Sequence, residues 1–140
     1  MTRPVTFRLR KHGDYQRVYK ASRKQFAPQM TYFFLLRSQL GQDGVPPSST
    51  DDANPRIGLT VGKAMGNAVD RNRIKRRMRE AVRKNISALN TPVDVVLHPR
   101  RTVIDLEFAT LEREVAGVFR IIQTATQKQL NSSQKSPRGS

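Results

Sequence analysis

The sequence predicts an α+β fold, in which a mixed four-stranded sheet packs with three helices. Two short strand patterns flank one long amphipathic helix, which is the order of a βαβ unit. A further strand between Phe26 and Gln29 completes the order α-β-β-β-α-β-α. The 140 residues, 36% of them hydrophobic, suit one domain with a real core. We therefore predict a single domain over 1–130, with a flexible loop at 38–55 and a disordered tail at 131–140.

The N-terminal region predicts a basic arm followed by a short helix. Residues 1–10 are basic and lack helical periodicity, which favours an extended arm. Tyr15, Val18 and Tyr19 then recur at i, i+3 and i+4, the spacing of one helical face. We expect this helix over residues 12–20.

Two strands and a loop follow. Residues 30–37 combine β-branched, aliphatic and aromatic side chains over a short span, which is typical of a strand. The loop at 38–55 is rich in Gly, Pro, Ser, Asp and Asn, and it offers little that could pack. A half-buried strand is predicted at 56–61, where three apolar residues alternate with polar or small ones: Ile57, Leu59 and Val61.

The longest helix is predicted over 66–90. Asn67 can cap its first turn, and Asp70 places a carboxylate near the free amides and the positive end of the helix dipole. Asn90 and Pro92 end the pattern. Between them runs a continuous apolar stripe: Ile74, Met78, Ala81, Val82, Ile86 and Leu89.

The C-terminal part predicts one more strand and one more helix. The strand covers 93–97, a short run of β-branched and aliphatic residues around one acid. The helix begins at Asp105 and shows an apolar side made of five residues: Leu111, Val115, Val118, Phe119 and Ile122.

Positive charge is concentrated in two segments. The chain carries 26 Lys and Arg against 11 Asp and Glu, a net charge of +15. Residues 1–24 hold eight basic residues against one acidic, and residues 71–84 hold the same numbers, so that each segment carries +7. Such concentration indicates a polyanion or an anionic surface as the partner.

Several function classes are disfavoured by composition. The chain has no cysteine, which excludes a disulfide scaffold and thiolate sites. No apolar run approaches the length of a spanning helix, and the first residues lack a signal-peptide core, so we expect a cytoplasmic protein. His12 and His98 lie outside ligand-spaced motifs, and no nucleophile, metal cage or acid–base pair is recognisable.

The cations of the long helix lie mainly opposite its apolar stripe. Most of the cations on this surface are arginines, whose planar guanidinium group can bind a phosphate through two parallel hydrogen bonds. Arg71 and Lys75 lie nearer the apolar edge, where their stems can snorkel. We call the predicted binding surface the basic ridge and define it by eight residues: Arg71, Asn72, Arg73, Lys75, Arg76, Arg77, Arg79 and Arg83.

Tyr15, Tyr19 and Phe33 form a second candidate site. Aromatic residues one helical turn apart usually belong to a core. These tyrosines, however, lie among basic residues, a composition that also suits stacking on single-stranded bases. The residue pattern leaves both interpretations open.

The segment 66–80, GNAVDRNRIKRRMRE, closely resembles the signature of the bacterial ribonuclease P protein subunit. The resemblance extends to 9–19, 56–63 and 94–100 and covers roughly residues 5–122. The matched positions of the signature pattern are Arg71, Asn72, Arg73, Ile74, Lys75, Arg76 and Arg79.

This resemblance implies an α/β sandwich with an unusual left-handed βαβ crossover, against the general handedness rule. It also implies a subunit of an endoribonuclease that removes the 5′ leader of precursor tRNA. In that family the catalytic component is an RNA, which holds most of the Mg²⁺. No catalytic residue is then expected in this chain, and its expected partners are the catalytic RNA and precursor tRNA.

The resemblance also assigns residues. Five residues of the basic ridge carry over as contacts to the catalytic RNA: Arg71, Arg73, Lys75, Arg76 and Arg79. The other three ridge residues are predicted from their place on the helix. Tyr15, Tyr19 and Phe33 would line a cleft for the single-stranded leader, with Lys63 and Asn67 as polar neighbours. Many relatives have two adjacent basic residues where this chain has Lys63 followed by alanine, so one contact is expected to be missing.

Three rival functions compete with this interpretation. A structural RNA-binding protein, such as a ribosomal protein, fits the composition equally well. A DNA reader would need a helix-turn-helix partner that the sequence lacks. A membrane-surface helix would need large aromatic residues on the apolar face of the basic helix. We therefore predict no DNA and no membrane partner.

Overall fold

A computed structural model describes residue 9 and residues 12–37 and 54–134, with side chains through 131. The described chain forms three α-helices and four strands, in the predicted order. The helices are α1 (His12–Ala21), α2 (Ala68–Asn85) and α3 (Phe108–Gln134). The strands are β1 (Gln25–Ala27), β2 (Met30–Leu36), β3 (Arg56–Leu59) and β4 (Val93–Pro99).

The sheet is mixed, as predicted, with the strand order β1-β2-β4-β3. The pairs β1–β2 and β2–β4 are antiparallel, whereas β3 and β4 are parallel and are joined through α2. The short strand expected between Phe26 and Gln29 is present as β1, but it runs over Gln25–Ala27 and a turn occupies residues 28–29. The left-handed sense of the crossover stays a prediction.

Alternation along β4 divides the molecule into two layers around the sheet. Val93, Val95 and Leu97 face the main core, which is completed by the apolar sides of α2 and α3. Val96 faces the other way and packs with Val18 of α1. Two helices therefore cover one face of the sheet and one short helix covers part of the other.

The start of α2 follows its local sequence closely. The Asn67 side chain accepts a hydrogen bond from the Asp70 amide at 2.9 Å, which confirms the predicted cap. Gly66 before it has φ +128°, and a Cβ there would meet the Asp70 side chain at 2.6 Å, so this entry requires glycine. The helix ends at Asn85 and continues as a 3₁₀ turn over Ile86–Ala88, earlier than the predicted end.

The C-terminal helix differs from the prediction at both ends. A 3₁₀ turn at Arg101–Ile104 precedes the helix, so α3 begins at Phe108 and not at Asp105. It continues to Gln134, so the first part of the expected tail is helical. The rest of the tail, the arm apart from residue 9, and 38–53 of the expected loop lie outside the described residues.

A buried carboxylate ties α1 to the sheet. Asp94 of β4 is fully buried and accepts hydrogen bonds from Arg37 and, at 3.0 and 3.1 Å, from Arg56. The Arg56 guanidinium also lies 3.6 Å from Asp14 of α1. Because a buried charge needs partners, this cluster holds the helix against β3 and β4.

Candidate nucleic-acid interface

The basic ridge lies on the outer side of α2. The apolar stripe on the inner side is buried at Ile74, Met78, Ala81 and Val82, as predicted. Five ridge residues are exposed and three are half-buried: Arg71 and Lys75 at the edge of the stripe, and Arg77. The exposed ones are Asn72, Arg73, Arg76, Arg79 and Arg83.

Arg83 is exposed but paired within the helix. Its guanidinium donates to both carboxylate oxygens of Glu80, at 2.6 and 3.2 Å, and these contacts hold the pKa of Glu80 below its usual value. Surface pairs of this kind contribute little and exchange readily. Arg83 can therefore still turn to a phosphate.

Arg77 differs from the rest of the ridge. It is half-buried and donates to the backbone carbonyls of Val103, at 2.9 Å, and Leu106. Its guanidinium carbon also lies 5.9 Å from the centre of the Phe108 ring. The guanidinium group thus connects α2 to the segment that precedes α3. Arg77 is therefore excluded from the surface proposed to bind RNA.

The predicted aromatic residues meet between α1 and the sheet. The rings of Tyr19 and Phe33 pack edge to face with centroids 4.9 Å apart, and Tyr15 packs in the same cluster. All three are half-buried, so they belong to a second small core while keeping part of their surface accessible. The packing agrees with the core interpretation, whereas stacking on bases stays a prediction. We call this cluster, with His98 and Thr60, the aromatic cleft.

Tyr15 is held over the edge strand β3. Its hydroxyl donates to the carbonyl of Leu9 at 3.2 Å, while the Leu9 amide donates to the carbonyl of Ile57 at 2.9 Å. A Cβ on Gly58 would lie 2.5 Å from the Tyr15 hydroxyl oxygen. The tyrosine therefore occupies its place because residue 58 has no side chain.

His98 is a cleft residue that the sequence did not identify. The Tyr19 hydroxyl lies 2.9 Å from its Nε2 and 3.3 Å from the Oγ1 of Thr60. The imidazole is also 5.5 Å from the Phe33 ring centre. Burial lowers the pKa of His98, and the nearby charge of Lys24 lowers it further. The neutral ring can accept a hydrogen bond from Tyr19 and offer an uncharged stacking face.

Lys63 and Asn67 lie on the segment between the cleft and the ridge. Thr60 contacts Tyr19, and α2 begins seven residues later with the Asn67 cap. Lys63 is exposed in a 3₁₀ turn, and Asn67 is exposed although its oxygen caps the helix. Ala64 is exposed in the same turn. The two predicted polar neighbours, Lys63 and Asn67, thus both lie at the N-terminal end of α2.

The cleft and the ridge adjoin across β3. A small cavity of about 80 Å³ is lined by Tyr15 from α1 and by Arg79 from α2, with Gly58 among the residues of β3. An extended anion lying along this edge would therefore meet aromatic rings first and guanidinium groups next. The arrangement can bind a polyanion that has planar bases.

Among the helices of the described residues, none has the length and apolar character that a membrane span requires.

Comparison with known proteins identifies the family. A family model for ribonuclease P matches residues 4–123. The ribonuclease P protein component of Finegoldia magna is 34% identical over 113 residues, covering 81% of this chain and 88% of the relative. The corresponding protein of Listeria innocua is 28% identical over 126 residues, covering 90% and 96%.

Solved structures agree at the level of the fold. An RNase P protein from Staphylococcus aureus superposes with a TM-score of 0.64 at 24% identity, covering 84% of this chain and 96% of that one. The RNase P protein from Thermotoga maritima gives a TM-score of 0.64 at 21% identity, covering 81% and 94%. The four-stranded mixed sheet with three helices is therefore shared with these proteins.

Proposed function

Because the chain belongs to the ribonuclease P protein family, and is thus a protein component of the tRNA-processing ribonucleoprotein, we propose that it binds two RNAs at once. The basic ridge, apart from Arg77, binds the catalytic RNA, and the aromatic cleft binds the single-stranded 5′ leader of precursor tRNA. The observation that carries this proposal is the junction at β3, where Tyr15 and Arg79 line one cavity. One protein can then hold the substrate strand beside the RNA that cleaves it.

The ridge acts through its positive charge and through the planar shape of the arginine guanidinium groups. Arg73, Arg76 and Arg79 are exposed on successive turns, and each can contact phosphate through two parallel hydrogen bonds. Neutralising phosphates releases counterions, so binding weakens as salt rises. Such contacts set position and affinity without reading sequence.

The cleft acts through stacking and a fixed hydroxyl. Half-buried rings offer faces to unpaired bases, and stacking contributes ~1–3 kcal/mol per base. The bond from Tyr19 to His98 fixes the tyrosine before any RNA arrives, which lowers the entropy lost on binding. Because duplex bases hide their faces, the cleft prefers the leader to the body of the tRNA.

Hydrolysis itself is assigned to the RNA. Mg²⁺, which RNA phosphates rather than this chain would hold, would supply the activation of water and the charge stabilisation that the hydrolysis needs. No group of three or more His, Asp or Glu side chains in the described residues could hold a metal ion. The protein neutralises phosphate charge and orients the leader, which brings the scissile bond and the RNA together at lower Mg²⁺.

Reconstitution tests the proposal. The protein is added to a bacterial catalytic RNA, and cleavage of the leader from precursor tRNA is measured at low Mg²⁺. We expect strong stimulation by the wild type and weak stimulation by the Arg73→Ala/Arg76→Ala variant. The matched control is Arg113→Ala/Arg120→Ala, which removes the same charge from exposed positions on α3. Absence of stimulation by the wild type, or equal loss in both variants, would contradict the proposal.

A further inference from the structure

Phe26 exposes more of its side chain than almost any other large hydrophobic residue of the described chain. It is 71% exposed in the middle of the edge strand β1. A single exposed phenylalanine on a surface needs no explanation. This one, however, lies on the same face of the sheet as the aromatic cleft.

The strand register places Phe26 in line with the cleft. Phe26 is paired with Thr31 of β2, and Thr31 is paired with His98 of β4. Directly opposed residues of antiparallel strands point to the same face, so these three form one row across the sheet. Two strand spacings place the Phe26 backbone roughly 10 Å from that of His98, beyond the part of the face that α1 covers.

Positive charge accompanies this row. Arg23 and Lys24 are exposed just before β1, and the charge of Lys24 reaches His98. An exposed aromatic ring beside cations matches the stacking and charge complementarity of a single-stranded nucleic acid.

We propose that Phe26 is an additional base-stacking subsite for the leader of precursor tRNA, with Lys24 contacting the adjoining phosphate. The inference rests on the proposed function of the aromatic cleft, which it extends by at least one nucleotide toward the β1 edge. Only leaders long enough to pass His98 and Thr31 reach the subsite. Affinity for precursor should therefore rise with leader length up to that nucleotide.

The test uses the reconstituted holoenzyme and precursor tRNAs whose leaders increase by single nucleotides. The affinity of each is measured for the wild type, Phe26→Ala and Phe26→Trp. We expect Phe26→Ala to weaken binding of long-leader precursors by roughly five- to tenfold, the lower end of the range for one stacked base, without affecting short leaders or mature tRNA. Phe26→Trp should keep the affinity, since its ring also stacks. The shortest leader affected locates the nucleotide.

Ile121→Ala is the matched control, because Ile121 is 57% exposed on α3 in the other layer. Equal behaviour of Phe26→Ala and the wild type at every leader length overturns the inference. A change in the oligomeric state of Phe26→Ala, without any dependence on leader, assigns the ring to a protein contact and also overturns it. If the wild type itself fails to distinguish precursor from mature tRNA, the proposed function of the cleft fails first.

Discussion

The basic ridge and the aromatic cleft are built differently and, in the proposed function, would bind RNA by different physical means. The ridge consists of side chains from one helix, and its shape follows from helical periodicity. The cleft gathers Tyr19, Phe33 and His98 from a helix and two strands, and hydrogen bonds fix its members before binding. The ridge therefore tolerates local change in its surroundings, whereas the cleft depends on the register of the whole sheet.

The largest expected effect is on the support of the cleft. Asp94→Asn removes the charge that partners Arg37 and Arg56 and leaves two largely buried guanidinium groups without it. We expect a loss of about 3 kcal/mol in the free energy of unfolding, measured by urea denaturation. Asp105→Asn at an exposed position is the control. A similar small loss in both variants would mean that the buried cluster does not support α1.

Gly58→Ala should damage the cleft and spare the ridge. The new methyl group would approach the Tyr15 hydroxyl to 2.5 Å, so the ring must move and release its bond to Leu9. We expect the affinity for precursor tRNA to fall by about 1 kcal/mol, roughly fivefold, while binding of the catalytic RNA is unchanged. Gly117→Ala is the control, since nothing lies within 4 Å of its added Cβ. Unchanged precursor affinity would show that the position of Tyr15 is unimportant.

The smallest effect concerns pH. Burial lowers the pKa of His98, so below about pH 6.5 the unfolded chain binds more protons at this residue than the folded one. The free energy of unfolding that the neutral His98 contributes is fully present at higher pH. It is lost as the pH falls from about 6.5 toward the pKa of His98 in the folded chain. We expect the stability difference between wild type and His98→Gln to shrink, by less than about 1 kcal/mol, between pH 7.5 and 5.5.

Unfolding free energies measured across that pH range check this expectation. His12→Gln is the control, because His12 is exposed on α1. The opposite result, a difference that grows on acidification, would place the charged form of His98 in the folded cleft.

Residue patterns within single elements predicted the helices and strands of the fold and the exposed position of most ridge residues. The cap at Asn67 and the stripe at Ile74 and Met78 follow from rules that act within one helix. Arg77 could not be assigned in this way, because its partners Val103 and Leu106 come from a turn that packs on α2 only in the folded chain. Helical spacing alone gives no information about such a neighbour.

The cleft was predicted less completely for the same physical reason. Tyr15, Tyr19 and Phe33 were assigned through resemblance, and their own spacing also fitted a core. His98 has no partner nearby in sequence, and its bond to Tyr19 joins residues that are 79 positions apart. A signal was present, since His98 interrupts the apolar strand β4 at a position that shares a face with Val96. Its significance required knowing which helix covers that face.

One double comparison tests the division between ridge and cleft most directly. The Tyr15→Ala/Tyr19→Ala and Arg73→Ala/Arg76→Ala variants are compared for two quantities: the salt dependence of binding to the catalytic RNA, and the ratio of holoenzyme affinities for precursor and mature tRNA. We predict that the tyrosine variant loses the precursor preference and keeps the salt dependence. The arginine variant should keep the preference, while its log–log salt slope falls by about two, one for each lost phosphate contact. Equal changes of both quantities in both variants would contradict the account.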